Sequence, residues 1–417
     1  MTGDRTGRVS SLWVYPVKSC AGYRAPEMLV RPGLGIDGDR MAALVDGEVT
    51  SEPVTWQPRR AFRHLAQDER TATVRVGSGR PRRATLARDG SPLVVDLGDG
   101  IAESDRQARA ALDAWFPGEG VGVVRAAEPL WDWPDSEVSL INLATVRAVE
   151  QAIGVTLDPR RFRANVYLDG LPPFEEYDWM GRVIETNGVS LEVIRSTRRC
   201  RATSVEPASG RTDLNLPAAL ARTLGHSHMG VYARVVAGGS LVESAPVQVM
   251  SPPDPVRLRR GLQERREATE SWPRIARVVE VVREASDVIS LWIQDPYAVR
   301  PAAGQHMRVH VLAGDRPAWR CYTASAATAD SFRITVREQG EVSRRLANLS
   351  SGDSLVVSGP FGGGSDQMDA DGHLLVSAGV GITPTAAVLR AWAEDNPNVN
   401  ASVLHVARDQ TPALWKE

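Results

Sequence analysis

The segment Arg320-Cys321-Tyr322-Thr323-Ala324-Ser325 brings a cation, an aromatic ring and two hydroxyls together at the end of an alternating stretch. That set suits a flavin. Arginine pairs with a pyrophosphate or with the reduced ring's charge, tyrosine packs on the isoalloxazine and ribityl, and a hydroxyl hydrogen-bonds near the reactive nitrogen. Taken alone, the motif also fits an ordinary barrel strand with a polar surface. A second constellation, Thr197-Arg198-Arg199-Cys200-Arg201-Ala202-Thr203, sets one thiol among three arginines. Nearby cations lower a thiol pKa and favour the thiolate, a nucleophile or soft-metal ligand. A strand cysteine beside a solvated basic patch is the alternative.

Each constellation has neighbours. After the first, Val336-Arg337-Glu338-Gln339-Gly340-Glu341-Val342-Ser343 places a glycine and a serine at a strand-to-helix junction, where amides and a hydroxyl can receive phosphate oxygens. Gly359-Pro360-Phe361-Gly362 follows at the barrel's exit. Gly379-Val380-Gly381-Ile382-Thr383-Pro384 then lies between a strand and a helix, where glycines let a dinucleotide pyrophosphate approach the backbone. Around the thiol stand Tyr15-Pro16-Val17-Lys18-Ser19-Cys20, Asp37-Gly38-Asp39-Arg40, Arg160 to Asn165, and Pro173 to Trp179. Together they supply cations and amides suited to an anionic, phosphate-bearing ligand.

The elements that must position these groups are mainly strands. Residues 8–125 read as short β-branched segments punctuated by Gly and Pro, and 130–250 continue in that style. One helix is expected from Ile141 to Ile153, with Asn142 as its cap. The polar, proline-containing stretch 251–271 reads as a linker with a short solvated helix. Residues 272–366 alternate as a small antiparallel barrel. Residues 370–417 read as one βαβ unit with two buried strands, HLLVSAG and ASVLHVA, the opening of a parallel sheet. The expected fold class is therefore mainly β with α/β: an N-terminal β-barrel and a second β-barrel, then an antiparallel barrel and the start of a nucleotide-binding domain.

Composition narrows the function classes. With 417 residues, two to three domains are expected. The net charge of −2 gives no whole-chain case for nucleic acid or an anionic membrane. No apolar run reaches membrane-spanning length and the polar start lacks a signal-peptide pattern, so a cytoplasmic protein is expected. The three cysteines, Cys20, Cys200 and Cys321, lie far apart and without iron–sulfur or zinc spacing, so these residues alone hold no such centre. Cys20 is expected to be a packed thiol, and Cys321, inside the flavin strand, to pack beside the flavin. His226 and His228 form an H-x-H without an evident third ligand, and the Trp131-Asp132-Trp133-Pro134 stretch reads as a packed loop or a substrate entrance.

The ordered motifs over 272–417 resemble the ferredoxin-reductase family of flavoenzymes. The resemblance implies FAD in the barrel, with Arg320, Tyr322, Thr323 and Ser325 at the flavin and Ser343 near the pyrophosphate. It implies NAD(P)H at Gly379, Gly381, Thr383 and Pro384, with Arg408 near the adenosine ribose. Residues 8–250 resemble the MOSC family, with an N-terminal β-barrel domain over 8–125 and the MOSC domain over 130–250. In pattern they are similar to its molybdenum amidoxime- and hydroxylamine-reducing members. This implies that Cys200 ligates molybdenum held by a pterin dithiolene. It also implies that Lys18, Ser19, Arg40, Thr145, Arg163, Asn165 and Arg198 hold the pterin and its phosphate.

The expectation is a fusion. Electrons enter from NAD(P)H to FAD and pass to a molybdenum cofactor (molybdopterin) that reduces a small N-hydroxylated substrate. A one-electron relay is expected between the two, a plant-type 2Fe–2S domain on a missing C-terminal portion or a ferredoxin-type partner. Two other readings stay open: a Cys200 persulfide that transfers sulfur, and a non-catalytic docking module attached to a flavin reductase.

Overall fold

The computed structural model describes residues 6–47, 52–77, 83–88, 91–96, 110, 112–250, 273–313, 316–363, 372–395 and 400–407. The chain divides into two units, Met1–Leu220 with Ser227–Pro253, and Ala221–His226 with Asp254–Glu417. The expected linker over 251–271 and Arg408 lie outside the described residues.

The first unit is built on a closed circuit of seven strands. These are β1 (Thr6–Val14), β2 (Val138–Asn142), β3 (Val166–Asp169), β4 (Val183–Thr186), β5 (Val189–Arg198), β6 (His228–Ala237) and β7 (Pro246–Val249). They run β3-β2-β6-β5-β4-β7-β1 and close through β1 on β3. Only β2 and β3 pair in parallel, Leu140 opposite Val166. Alternation explains the strands: Val189, Leu191 and Val193 of β5 are buried, while Ser190 and Glu192 between them are not. A short parallel pair needs a crossover, and α1 (Leu143–Ile153) lies within it. Asn142 caps α1 by accepting from the Ala144 amide at 3.0 Å, as the sequence predicts, and Gly154 ends it at φ +70°.

Among the described residues of the stretch 8–125, the strands do not all stand apart from the circuit. Its first strand, β1, is part of the seven-stranded circuit, bonded to β3 on one side and β7 on the other. The circuit would otherwise expose two unpaired edges, which closure removes. The other strands form three-stranded sheets. One joins Val17–Lys18, Ala42–Asp46 and Val121–Arg125; a second joins Glu27–Arg31, Gly35–Ile36 and Gly239–Val242; a third joins Arg75–Gly77, Arg83–Arg88 and Ser91–Asp96. Cys20 packs with Val17, Leu44, Val74, Leu112 and Phe116, and burial pushes its thiol up to about 12. It is the packed thiol the sequence predicts.

The second unit contains a closed six-stranded antiparallel barrel. Its strands are β8 (Arg274–Ala285), β9 (Val288–Gln294), β10 (His306–Ala313), β11 (Arg316–Ala327), β12 (Ser331–Arg337) and β13 (Ser354–Phe361), in the order β8-β9-β12-β11-β10-β13. Val278, Leu291, Ile293, Met307, Val309, Phe332, Ile334 and Val357 fill it. Beyond it, β14 (His373–Ala378) and β15 (Ala401–Val406) pair in parallel around α2 (Ile382–Asp395). The two strands are not the buried pair expected. Leu374, Val376, Leu404 and Val406, which share one face, are exposed because a helix covers the other, and Val403 on that other face is exposed as well.

Candidate functional site

Cys200 follows the end of β5, where the chain leaves the barrel and turns into the short helix Arg201–Ser204. The Cys200 carbonyl accepts from the Thr203 amide at 3.1 Å and the Thr203 hydroxyl at 2.9 Å, which fixes the turn. Its half-buried thiol opens on a cleft of about 750 Å³, counting solvent at the mouth. The cleft gathers residues from seven stretches of chain: Lys18 and Ser19, Arg40, residues within 59–66, Asp132 and Ser139, Arg161 to Arg163, residues within 197–203, and Tyr232. Among the described lining residues, seven carry a positive charge (Lys18, Arg40, Arg59, Arg161, Arg163, Arg198, Arg199) and one, Asp132, a carboxylate.

Backbone strain marks the same place. Ser19, Arg40 and Arg163 all adopt left-handed conformations, with φ of +71°, +54° and +49°. Non-glycine residues there cost of order 1–3 kcal/mol each and persist only where the surroundings over-determine them. Ser19 lies in the tight turn closed by the Cys20 amide on the Val17 carbonyl. Arg40 ends a turn whose amide reaches the Tyr15 carbonyl at 2.8 Å, and Arg163 ends the short helix Pro159–Phe162. Both guanidiniums stack on Tyr15, at 5.5 and 4.5 Å from its centroid. Burial pulls the Arg163 pKa down, and the neighbouring Arg40 charge adds to this.

Several sequence-predicted residues act on other residues here. Lys18 is buried and donates to the carbonyls of Leu130 at 2.7 Å and Trp131 at 3.2 Å, and to the Asp132 carboxylate at 3.1 Å. Its three protons thus go to one loop. Burial lowers its pKa, opposed by Asp132. Asn165 is also internal. Its amide donates to Trp13 O and Asp39 Oδ1, and its Oδ1 receives Ser139 Oγ at 2.7 Å and Arg40 Nη1 at 3.2 Å. Asp39, fully buried, pairs with Arg40 and receives the Tyr15 amide at 2.7 Å. Asn165 and Asp39 therefore aim Arg40.

Thr145 is placed elsewhere than its match to a pterin-holding position implies. It is absent from the cleft lining, and its hydroxyl donates to Glu176 at 2.8 Å and accepts the Phe174 amide at 2.7 Å. Burial raises the Glu176 carboxyl to about 7, against the bonds from Thr145 and Asn142. His228 is buried and bonded to Ser196 at 2.7 Å, and burial lowers its pKa to about 3. Among the described residues no His/Cys/Asp/Glu group is arranged to hold a metal ion through three such side chains.

The cleft also carries donors with nothing to bond. Arg199 uses Nε on the Met229 carbonyl and Nη1 on that of Phe162, leaving buried Nη2 without a partner. The Thr197 hydroxyl is likewise buried and unpartnered. Buried donors require acceptors, so a polar or anionic ligand belongs there. Arg59, His64, Ser139 and Tyr232 join the lining without having been singled out by motif, whereas Arg161 lies in the arginine cluster at 160–165 and Asp132 in the suggested substrate entrance.

In the second unit the flavin motif lies on β11. Tyr322 is half-buried against the barrel core, and burial raises its phenol to about 12, opposed by the Arg320 charge. Arg320 is exposed, with Nη1 on the Trp319 carbonyl. Thr323 pairs with His306 of β10, whose ring meets Phe361 at 5.9 Å. Ser325 sits in a bulge between Ala324 and Ala326. Its hydroxyl donates to Arg333 O at 3.2 Å and its carbonyl receives Arg390 of α2 at 3.1 Å. That bond ties the helix after the glycine turn to the flavin strand. Cys321 is exposed, not packed, because it points away from the core that its neighbours Tyr322 and Ala324 face. Ser343 receives the amides of Gln339 and Gly340 at 2.9 and 2.8 Å, shaping the turn at its helix start. Gly379 and Gly381 form the short turn before α2, Gly379 at φ +52°; the Thr383 hydroxyl bonds Val380 O at 3.1 Å and Pro384 is exposed.

Known proteins divide the chain in the same way. Residues 125–250 match the model of the MOSC domain, and 277–364 that of the oxidoreductase FAD-binding domain. The glycine betaine monooxygenase reductase subunit of Pseudomonas aeruginosa is 32% identical over 158 residues, 35% of this chain and 43% of that protein. The flavohemoprotein of Bacillus subtilis is 31% identical over 136 residues, 30% of this chain and 34% of that one. The chain thus spans less than half the length of these relatives. Among solved structures, the flavohem-like FAD/NAD-binding domain of nitric oxide dioxygenase from Vibrio cholerae aligns at TM-score 0.32 and 24% identity, over 34% of this chain and 66% of that one. The chain is a MOSC domain fused to an FAD-binding oxidoreductase domain of the ferredoxin-reductase family. Among the described residues no helix is long and apolar enough to cross a membrane.

Proposed function

We propose that this protein passes electrons from NAD(P)H through FAD to a molybdenum cofactor ligated by Cys200, where an N-hydroxylated substrate is reduced. The observation that carries the reading is the cleft itself: a half-buried thiol in a lining that includes seven cationic side chains, two of whose residues, Arg199 and Thr197, keep buried donors without partners at Nη2 and Oγ1. A pterin dithiolene with its phosphate is anionic and rich in acceptors, and fits that donor set.

In this reading Cys200 supplies the thiolate ligand, and Arg163, Arg198 and Arg199 receive the phosphate and pterin. The strained turns at Ser19, Arg40 and Arg163 hold those groups in place before the ligand arrives. Lys18 and Asn165 position loops and the Arg40 guanidinium. The group, when bound, would supply two electrons that originate from NAD(P)H, and with two protons drawn from solvent the N–O bond would be replaced by N–H and its oxygen lost as water. In the second unit, Tyr322 covers the flavin, Arg320 balances its charge, and the turn at Gly379 to Thr383 receives the nicotinamide dinucleotide at the start of α2. A 2Fe–2S ferredoxin-type domain or partner relays single electrons. Such a partner is in keeping with the reductase subunits among the relatives.

Metal analysis with an absorption spectrum on purified protein tests this. Molybdenum and flavin near one each per chain are expected. Cys200→Ser should lose molybdenum and N–O reduction by on the order of 100-fold or more while flavin content stays unchanged. Active protein without molybdenum, or a Cys200→Ser variant with intact turnover, sinks the reading in favour of sulfur transfer or simple docking.

A further inference from the structure

The second unit takes in Ala221–His226 as well as the chain after Asp254. That segment is the last turn of the helix Leu216–Leu224 with the two residues that follow, and it lies within the stretch that matches the MOSC domain. A helix leaves its last four carbonyls without partners of its own. Side chains of the flavin barrel satisfy carbonyls here. Trp319 Nε1 donates to Arg222 O at 3.2 Å, His310 Nδ1 to Leu224 O at 2.7 Å, and Arg308 Nη1 to Gly225 O at 2.7 Å. Gly225 follows the helix at φ +77°, and a Cβ on it would meet the Trp319 ring at 2.7 Å, so the indole packs directly against it.

His306, Arg308 and His310 of β10 stand opposite Thr323, Cys321 and Trp319 of β11, so all six share one face of the sheet. The segment binds at one end of that face. Thr323 of the flavin motif stands at the other, and Arg308 lies between. Its guanidinium lies over the rings of Trp319 and Phe361, 5.1 and 4.2 Å from their centroids. Arg308 and Thr323 are diagonal cross-strand neighbours, a relation that spans about 7–8 Å.

Among the described residues no carboxylate pairs with Arg308, and its buried Nε has no partner. A carbonyl is a dipole and not a charge, so the bond to Gly225 O leaves the guanidinium at +1. His310 beside it is neutral. Burial pulls its pKa to about 4, against the bond to Leu224, and the charges of Arg308 and Arg274 add to that pull. The same field reaches the far end of the face. His306, opposite Thr323, is pulled down by burial and then by Arg308.

We propose that Arg308, held by the segment Ala221–His226, stabilises the reduced flavin anion and so raises the reduction potential of the FAD. A segment of the MOSC match thereby tunes the reductase to which it is fused. The inference rests on the flavin seat at β11 proposed above. FAD takes a hydride from NAD(P)H, two electrons and one proton. NAD(P)+ leaves, and the reduced ring carries one negative charge. A fixed cation favours that product over the neutral oxidised ring. Arg320 is exposed and screened by solvent, whereas the half-buried Arg308 acts through protein.

The test is the midpoint potential of FAD in the full-length holoprotein, read by equilibration with a reference dye during slow enzymatic reduction. Arg308→Met removes the charge and keeps the length. It should lower the ratio of reduced to oxidised FAD on the order of tenfold, about 30 mV for a two-electron couple. Arg308→Lys keeps a charge and should restore most of the native ratio. Gly225→Ala, which presses a Cβ on the indole, should shift the ratio in the same direction by less. FAD content and thermal melts are read on each variant. Where Arg308→Met does not fold, Arg308→Gln replaces it, since its amide can keep the bond to Gly225 O. Native potential in a folded, FAD-loaded Arg308→Met or Arg308→Gln overturns the proposal alone. So does an Arg308→Lys shift as large as that of Arg308→Met, because shape and not charge then matters. Native potential in Gly225→Ala overturns the role of Ala221–His226. Native protein that takes up no FAD sinks the flavin seat itself, and this proposal with it.

Discussion

The two candidate sites are assembled in opposite ways. The flavin seat comes from one strand, β11, with support from the turn at Gly340 and from Arg390 of α2. The thiol cleft comes from seven stretches between Lys18 and Tyr232. A strand presents neighbouring residues at fixed spacing, so a local string can carry most of a site. A cleft between turns has no such ruler. It relies on side chains that hold other side chains, and on backbone turns strained to left-handed conformations at Ser19, Arg40 and Arg163. The first kind of site should be sensitive at its contact residues. The second should be sensitive at residues that touch no ligand.

The largest effect expected from that contrast lies at Glu176, behind the cleft. Its carboxyl is buried and raised to about 7. Between its ordinary pKa and 7 the folded state holds more protons than the unfolded state, so stability falls as pH rises through this window and is flat above it. Glu176→Gln should therefore be more stable than the native protein by about 3 kcal/mol at pH 8 and equal to it near pH 4. Denaturant melts across pH check this; a variant destabilised equally at both pH values would show that the carboxylate matters for something other than its burial.

A smaller effect is expected at the flavin strand. Tyr322→Ala should weaken FAD binding by on the order of tenfold, read by flavin fluorescence on dilution, with molybdenum content unchanged. Unchanged FAD affinity would move the flavin away from β11. The smallest effect separates structure from cofactor contact. Thr145→Val should cost about 1 kcal/mol by freeing the Phe174 amide and one Glu176 oxygen, and leave molybdenum content intact. Loss of molybdenum without loss of stability would return Thr145 to the cofactor.

Much of this was legible in the sequence. The helix after Asn142 followed from its cap and apolar spacing, and the six-stranded barrel from period-two alternation. Lys18, Ser19, Arg40, Arg163, Arg198 and Cys200 do meet in one cleft. Thr145 matched a pattern, but a pattern does not say whether a hydroxyl already has partners, and this one has two. The strands β14 and β15 are exposed where burial was expected, since an apolar string reports what would profit from cover and not whether cover is present.

The sequence by itself determined the local chemistry: which strand carries the flavin motif, which turn carries the glycines, and which thiol stands among arginines. Tertiary structure decided the rest. It placed β1 in the seven-stranded barrel, engaged Lys18 and Asn165 internally, and brought Arg199 and Asp132 into the cleft lining. The reason is physical. Spacing fixes which side chains share a face within an element, whereas the partner of a given hydrogen bond can lie a hundred residues or more away along the chain, as for Lys18 and Asp132 or Asp132 and Tyr232.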